Sequence, residues 1–360
     1  MSMNSSFFPS KEQNESTTNW IEEINMTMVM YNAPALTYSF LTLIIGGIGN
    51  GLIAYVYGRS MKKKTTPMNY FIMILSLLNL VTCSTVIPLM ILYDFMPVLF
   101  VSDVACKILR YIYNLTMLAS SFTLVAIAVD RYRRICRPTS SQLNVKQVKI
   151  TSVVLVTMAA ALCAPVIVIA GTQTEHLYFN QINHTFCNTQ EDYENTIYPN
   201  LYSSYLFIIL ITAIIITIVC YTKILCNIRR SMAPRRRSFE KHRNRISIKP
   251  PSKPNIKKVF LITLLFIFSF VPCVLVIIIF MVTQITDDNF HPVVNSFLNI
   301  SRRSYLLSCL LNPLIIWYCN LNFRAEVKFL CTFCHCSRHS TNDLANSSFS
   351  NPLELVTGES

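Results

Sequence analysis

Six stretches of this 360-residue chain, 35–57, 71–93, 111–129, 150–171, 201–222 and 259–283, contain no Asp, Glu, Lys or Arg. A helix that crosses the hydrocarbon core of a bilayer needs roughly 20 apolar residues, at about 1.5 Å rise per residue and about 30 Å of thickness. Soluble buried helices do not sustain that length without charge so many times. A seventh run, 293–318, is interrupted by Arg302 and Arg303, but 304–319 is again uncharged and rich in Leu and Ile. Only 14% of residues are charged, against about 25% in ordinary soluble domains. The alternation expected of a membrane β-barrel is absent.

Basic residues set the orientation, because short loops rich in Lys and Arg stay in the cytoplasm. With the amino terminus outside, 25 of the 31 bases fall in the inner segments: four within 59–64, six in 131–149, twelve in 229–258 and three in 324–338. Twelve of the 18 acids lie in the outer tail, loops and helix mouths, among them Asp94, Asp103, Asp287 and Asp288. An odd number of spans follows. No basic segment followed by an apolar run opens the chain as a cleavable signal would, so the first span is expected to act as the signal. Asn4, Asn14, Asn25 and Asn183 begin Asn-x-Ser/Thr triplets on the outer side, which makes them expected glycosylation sites. Asn114, Asn299 and Asn346 match the pattern but fall in or near spans or in the inner tail.

At the inner end of the third span stands Asp130-Arg131-Tyr132, and Cys106 lies 25 residues before Arg131, with Cys187 the lone cysteine of the second outer loop. These residues resemble the signature of rhodopsin-like (class A) G-protein-coupled receptors, in a divergent form similar to the peptide receptors. Over about 35–331 the resemblance extends to Gly49-Asn50, Pro88, Tyr221, Pro272 and Asn312-Pro313. It implies a Cys106–Cys187 disulfide and a coupling switch of Asp130, Arg131, Tyr132, Tyr221, Asn50, Asn79, Phe266, Phe270, Pro272, Asn312 and Pro313. Several positions depart from the family. Asn79 stands where an acid helps to hold sodium, Ser269-Phe270-Val271-Pro272 replaces Cys-Trp-x-Pro, and Ile316 replaces the tyrosine after Asn312-Pro313. The proline of span five and the tryptophan of span four are missing too.

An ionised Asp and Arg at the membrane boundary are costly unless paired, so Asp130 and Arg131 are expected to hold each other until a partner inserts. Pro272 and Pro313 remove helix hydrogen bonds and create bends. By the resemblance, Tyr221 reaches Arg131 in the activated state. Arg131 has no acidic partner near Ser252 on span six, which points to raised basal activity.

Arg110, Tyr113, Asn114 and Met117 recur at i, i+3, i+4 and i+7 and share a helical face. The resemblance makes this face, with Tyr205, Ile277 and Arg302, the ligand-binding lining. By the resemblance Tyr113 occupies the position where amine receptors carry an Asp, and span seven has no Lys for a retinal Schiff base, which counts against amines and light sensing. A charge inside a span usually faces a cavity or partner. Arg302 and Arg110 are expected to meet an anionic ligand group, unless an Arg of the 302–303 pair is used by Asp103, Asp287 or Asp288. The acidic rim above attracts cations. Acidic rim and basic depth together fit a peptide with basic residues and a buried anionic or polar end; a fatty acid or lysolipid would use the Arg alone. In the second outer loop Tyr178, Phe179, Phe186 and Tyr193 surround Cys187, and family members often fold a hairpin there, although the alternation is poor.

The third inner loop holds twelve bases and one acid, Glu240, a surface suited to anionic lipid or a G protein. Serines after Arg229-Arg230 and Arg235-Arg236-Arg237 suit basophilic kinases. Leu321, Phe323, Val327, Phe329 and Leu330 pattern a short amphipathic helix, followed by Cys331, Cys334 and Cys336 as palmitoyl acceptors in preference to a zinc cluster with His335 and His339.

No catalytic, cofactor or metal motif is present, and all six His lie outside the spans. A transporter would show inverted repeats. The expectation is an all-α membrane protein, a seven-transmembrane helix bundle with a short amphipathic eighth helix. Residues 1–34 form an extracellular glycosylated tail, 35–319 the bundle, 320–336 the amphipathic helix and lipidation site, and 337–360 a disordered cytoplasmic tail. The expected partners are a peptide or lipid ligand, a heterotrimeric G protein, arrestin, receptor kinases and membrane lipid, with no nucleic acid. The expected place is the plasma membrane.

Overall fold

A long uncharged segment in lipid must satisfy its own amides, and a helix does so within one segment. In a computed structural model of the chain, the described residues are 11–60, 66–95, 102–177, 182–194, 196–242, 261, 264, 268–276, 278–279, 292–330 and 332. They form α1 (Lys11–Leu41), α2 (Gly47–Ser60), α3 (Pro67–Val81), α4 (Ile87–Phe95), α5 (Asp103–Cys136), α6 (Val145–Cys163) and α7 (Val166–Ile169). The hairpin β1 (Ala170–Leu177) and β2 (Ile182–Thr189) follows, then α8 (Glu191–Glu194), α9 (Tyr198–His242), α10 (Pro292–Arg302) and α11 (Leu307–Cys319). The short helix α12 (Leu321–Leu330) turns off α11 by 99°.

Five segments are long and apolar enough to cross a membrane: Val29–Arg59, Pro67–Phe95, Asp103–Cys136, Val145–Ile169 and Tyr198–Arg230. They contain the first five sequence runs but for the end of the fourth, which turns into β1 at Ala170. About half of the sixth run lies outside the described residues, with 268–276 helical. The seventh run is helical but broken at its two arginines, where Ser304–Leu306 makes a 3-10 turn between α10 and α11.

Local chemistry explains the ends. Thr66 caps α3 by accepting from the Asn69 amide at 3.3 Å, with Pro67 at the first helical position. Asn144 and Gln147 form a reciprocal capping box at α6. Wide π turns at Thr42–Gly46 and Thr82–Val86 join α1 to α2 and α3 to α4, features with no sequence signal.

Helix α5 is the axis of the bundle, packed against α3, α6 and α9. Its Leu118, Ala119, Leu124, Ile127 and Ala128 are buried, whereas Phe40, Val154, Ile208 and Ile215 on the periphery are exposed, as lipid-facing side chains are. Span one touches span seven so closely that a Cβ on Gly49 would sit 2.5 Å from the Pro313 ring. In α12, Phe323 and Val327 are buried while Leu321 and Phe329 are exposed. The Phe323 ring stacks on Tyr57 at 6.0 Å, and Asn320 Nδ2 donates to the Tyr57 hydroxyl at 2.7 Å. These contacts hold the bend and leave an apolar edge facing outward, as the amphipathic pattern predicts.

Candidate functional site

At the hairpin end, α5 begins with Ser102 accepting from the Ala105 amide at 3.3 Å. Asp103 pairs with Lys107 at 2.8 Å and accepts from the Thr172 amide at 3.1 Å. Gly171 makes that approach possible, since a Cβ there would meet Gln190 at 2.9 Å and Asp103 at 3.0 Å. The strands pair antiparallel with Thr172 opposite Cys187, and a disulfide joins Cys187 to Cys106 one turn into α5. The hairpin is thus clipped over the helix, the strand geometry that the poor alternation of its sequence left open.

Beneath the clip, Arg110 Nη2 donates to the Cys187 carbonyl at 3.4 Å. One turn deeper Tyr113 meets Tyr305 edge-on, with centroids 4.8 Å apart, and Phe270 lies 6.4 Å from Tyr305. Met117 is buried below them, and the Asn114 amide is turned back onto the Arg110 carbonyl at 2.8 Å. Of this face, Arg110 reaches the hairpin and Tyr113 reaches span seven, while Asn114 is tied to its own helix. Tyr205 is exposed on α9, and its ring neighbour is Tyr202 at 6.4 Å. Tyr305 had no sequence signal beyond its place in span seven; its hydroxyl is buried without a hydrogen-bond partner among the described residues.

The two arginines of span seven separate in role. Arg303 is buried and forks onto Asp94 of α4, with Nη2 to Oδ1 at 2.6 Å and Nη1 to Oδ2. It also donates to Ser39 at 3.4 Å, and the Tyr38 hydroxyl donates to its carbonyl at 3.4 Å. Among the described residues the partner of Arg303 is thus Asp94; of the alternatives Asp103, Asp287 and Asp288, Asp103 is engaged with Lys107 and Thr172 and the other two lie outside the described residues. Asp94, an acid closing an otherwise uncharged span, was the available signal. The 3-10 turn at Arg303 frees the chain to aim this side chain across the bundle. Arg302 stays half-buried and donates to Asn299 Oδ1 at 3.2 Å, and Asn299 donates to Asn32 at 3.0 Å.

Midway through the bundle, Asn50 Nδ2 donates to the Gly46 and Cys309 carbonyls, both at 2.8 Å. Asn79 Nδ2 donates to Asn50 Oδ1 at 3.0 Å, and Cys309 Sγ donates to Asn79 Oδ1 at 3.5 Å. A neutral hydrogen-bond chain therefore ties spans one, two and seven at the position where the resemblance raised sodium. Among the described residues no group of His, Cys, Asp and Glu is arranged to hold a metal ion. Asn312 and Pro313 are buried one turn on.

At the opposite end the expected Asp130–Arg131 ion pair is present, but Arg134 is the closer partner of Asp130. Asp130 is buried and held in a fork by Arg134 Nε, at 2.8 and 3.0 Å, while Arg131 Nη2 stands 3.7 Å off. Arg134, a turn further along α5, reaches both carboxylate oxygens, whereas Arg131 leaves the helix on a different side. Arg134 also donates to the Leu143 carbonyl at 2.9 Å. Arg131 Nε is buried without a hydrogen-bond partner among the described residues. Tyr221 is buried in α9, which packs on α5, and Pro272 is half-buried. Phe266, Ile277, Asn4, Cys331, Cys334 and Cys336 lie outside the described residues. Asn14 lies in α1 and Asn183 in β2. Asn25 Nδ2 donates to the Phe95 carbonyl at 3.0 Å.

Comparison with known proteins agrees with this architecture. Residues 49–316 match the family described as 7 transmembrane receptor (rhodopsin family). Similar proteins include neuropeptide FF receptor 2 of Mus musculus, 24% identical over 86% of this chain and 77% of the relative. Neuropeptide Y receptor type 1 of Xenopus laevis is 24% identical over 87% of this chain and 84% of the relative. Galanin receptor type 1 of Mus musculus is 28% identical over 54% and 57%.

Proposed function

Because the chain belongs to the rhodopsin family of seven-transmembrane receptors, we propose that it is a plasma-membrane receptor whose hairpin end faces outside, binds a peptide and drives a heterotrimeric G protein at the Asp130 end. It is a multi-pass membrane protein and not an enzyme. The peptide class is supported by relatives named for neuropeptide FF, galanin and neuropeptide Y. One observation carries the ligand site: the disulfide-clipped hairpin sets the Cys187 carbonyl and Arg110 directly above the Tyr113–Tyr305–Phe270 rings. Backbone at the top suits a peptide main chain, and the rings suit a bulky apolar side chain.

Arg110 and Arg302 remain the groups for an anionic or polar ligand end. Arg303 is used by Asp94, which leaves Arg302 as the member of that pair for a ligand. Coupling is a population shift: ligand contacts at Tyr113, Phe270 and Arg302 favour the state in which span six moves outward about Pro272. Asp130 is then released from Arg134 and Arg131, and Arg131 turns to Tyr221 and the G protein. Lipidation at Cys331, Cys334 and Cys336, and sugars at Asn4, Asn14, Asn25 and Asn183, belong to the same proposal, as do arrestin and receptor kinases at the tail.

The test is G-protein activation in cells displaying the chain at the surface, without ligand and with pooled peptides, beside Arg131→Ala. A peptide response that disappears in the variant while labelled peptide still binds supports the reading. Full coupling by the variant refutes the role of Arg131, and silence to peptides with a response to anionic lipids refutes the ligand class.

A further inference from the structure

The outward face of α9 changes character abruptly. Ile208, Ile215 and Val219 are exposed and apolar, and the same stripe continues at i+4, i+7 and i+11 from Val219 as Lys223, Cys226 and Arg230, all exposed. A lipid-facing stripe that turns basic within one turn marks the depth of the phosphate headgroups, where Lys and Arg ends reside. At that depth α5 and α9 border an open surface cavity of about 230 Å³ lined by Tyr132, Cys136, Lys223, Cys226, Asn227 and Arg230. The volume is below the roughly 300–1,000 Å³ of sites for whole small molecules, so it suits a headgroup and not a larger ligand.

Its charge is of one sign. Lys223 Nζ lies 5.7 Å from the centre of the Tyr132 ring, and the Arg137 guanidinium lies 6.0 Å from the same ring. Among the described residues neither Lys223, Arg137 nor Arg230 forms an ion pair, and Asp130, the acid of this end of α5, is buried and held by Arg134. Two cations gathered around one ring, with Arg230 on the same lining, repel one another unless an anion sits among them. The walls are braced: Asn227 Nδ2 donates to the Ile135 carbonyl at 3.0 Å, and Cys136 Sγ to the Lys223 carbonyl at 3.7 Å.

We propose that this cavity binds the phosphorylated headgroup of an anionic membrane phospholipid, with Lys223 and Arg230 on its phosphates and Tyr132 and Arg137 behind them. The site depends on the bundle spanning a bilayer and shares Tyr132 with the proposed coupling switch, while its binding assay needs neither peptide nor G protein. A lipid docked there bridges the ends of α5 and α9, beside the Asp130–Arg134 fork.

The test uses the full chain in phosphatidylcholine nanodiscs, titrated with a fluorescent short-chain phosphatidylinositol 4,5-bisphosphate. At about fivefold per basic contact, Lys223→Gln with Arg230→Gln should weaken binding ~30-fold. Lys146→Gln with Lys328→Gln removes the same charge from exposed positions outside the cavity and should change binding less than about twofold. Lys223→Arg with Arg230→Lys should bind as the unaltered chain does, with thermal unfolding unchanged in all three. Equal losses in the two Gln pairs would overturn the site, leaving only a diffuse basic surface. Displacement by soluble inositol trisphosphate as effectively as by the lipid would overturn the lipid as the source of the phosphate.

Discussion

Replacing Asp94 by Asn tests the most consequential contact in the bundle. Asp94 is 2% exposed and Arg303 8% exposed, and the two share a fork in which both carboxylate oxygens accept. Asparagine keeps the shape but removes the charge, leaving a buried guanidinium with the Ser39 hydroxyl at 3.4 Å as its other side-chain partner among the described residues. Breaking one side of a buried pair costs about 3–5 kcal/mol, most of it from the charge left behind. At about 2–4 °C per kcal/mol for a large domain, the apparent melting temperature of detergent-solubilised protein should fall by roughly 6–20 °C. Surface display should fall with it. Asp94→Leu with Arg303→Met removes both charges and should recover most of the loss, since apolar replacement of a buried pair is often neutral. A shift under ~2 °C in Asp94→Asn, or a double variant as unstable as the single, would show that the charges are not coupled as described.

Three further outcomes follow from the geometry. Cys106→Ser or Cys187→Ser unclips the hairpin from α5, so surface delivery and peptide binding should fall together by tenfold or more; flow cytometry with labelled peptide reads both, and two normal variants would refute the clip. Gly49→Val drives side-chain carbon into the Pro313 ring, which a Cβ would approach to 2.5 Å; thermal unfolding should show a loss of about 1–3 kcal/mol, and an unchanged melting temperature would count against the close packing of spans one and seven. Arg134→Gln removes the fork on Asp130 and leaves the carboxylate to Arg131, so ligand-stimulated nucleotide exchange should drop several-fold, whereas Asp130→Asn should raise the basal rate. Equal behaviour of the two variants would contradict the partner order measured by the 2.8 and 3.7 Å distances.

How much was legible in the sequence depended on whether a property belongs to a segment or to a meeting of segments. Uncharged runs of span length have one way to satisfy their amides in lipid, so 35–57, 71–93, 111–129 and 201–222 could be read as helices directly, and the Cys106 spacing led to the bridge through family resemblance. The face of Arg110, Tyr113, Asn114 and Met117 followed from helical periodicity. The π turns at Thr42–Gly46 and Thr82–Val86 could not be read, because a single wide turn leaves the apolar pattern on either side unchanged. The hairpin could be raised only through the resemblance, because its strands pair by backbone and are fixed to α5 by the disulfide with little alternation to mark them.

The long-range partners of the charged residues were decided by tertiary structure. The Asp130–Arg134 contact is not among them, since i, i+4 spacing within α5 brings the two together. Arg302 and Arg303 look alike in sequence, yet the break after α10 sends Arg303 across to Asp94, 209 positions away, and leaves Arg302 beside Asn299. Transfer into lipid acts on each segment by its own composition, so the sequence by itself determined the spans and their order. An ion pair depends on the position of a second atom within a few ångströms, and only the packing of the helices supplies that.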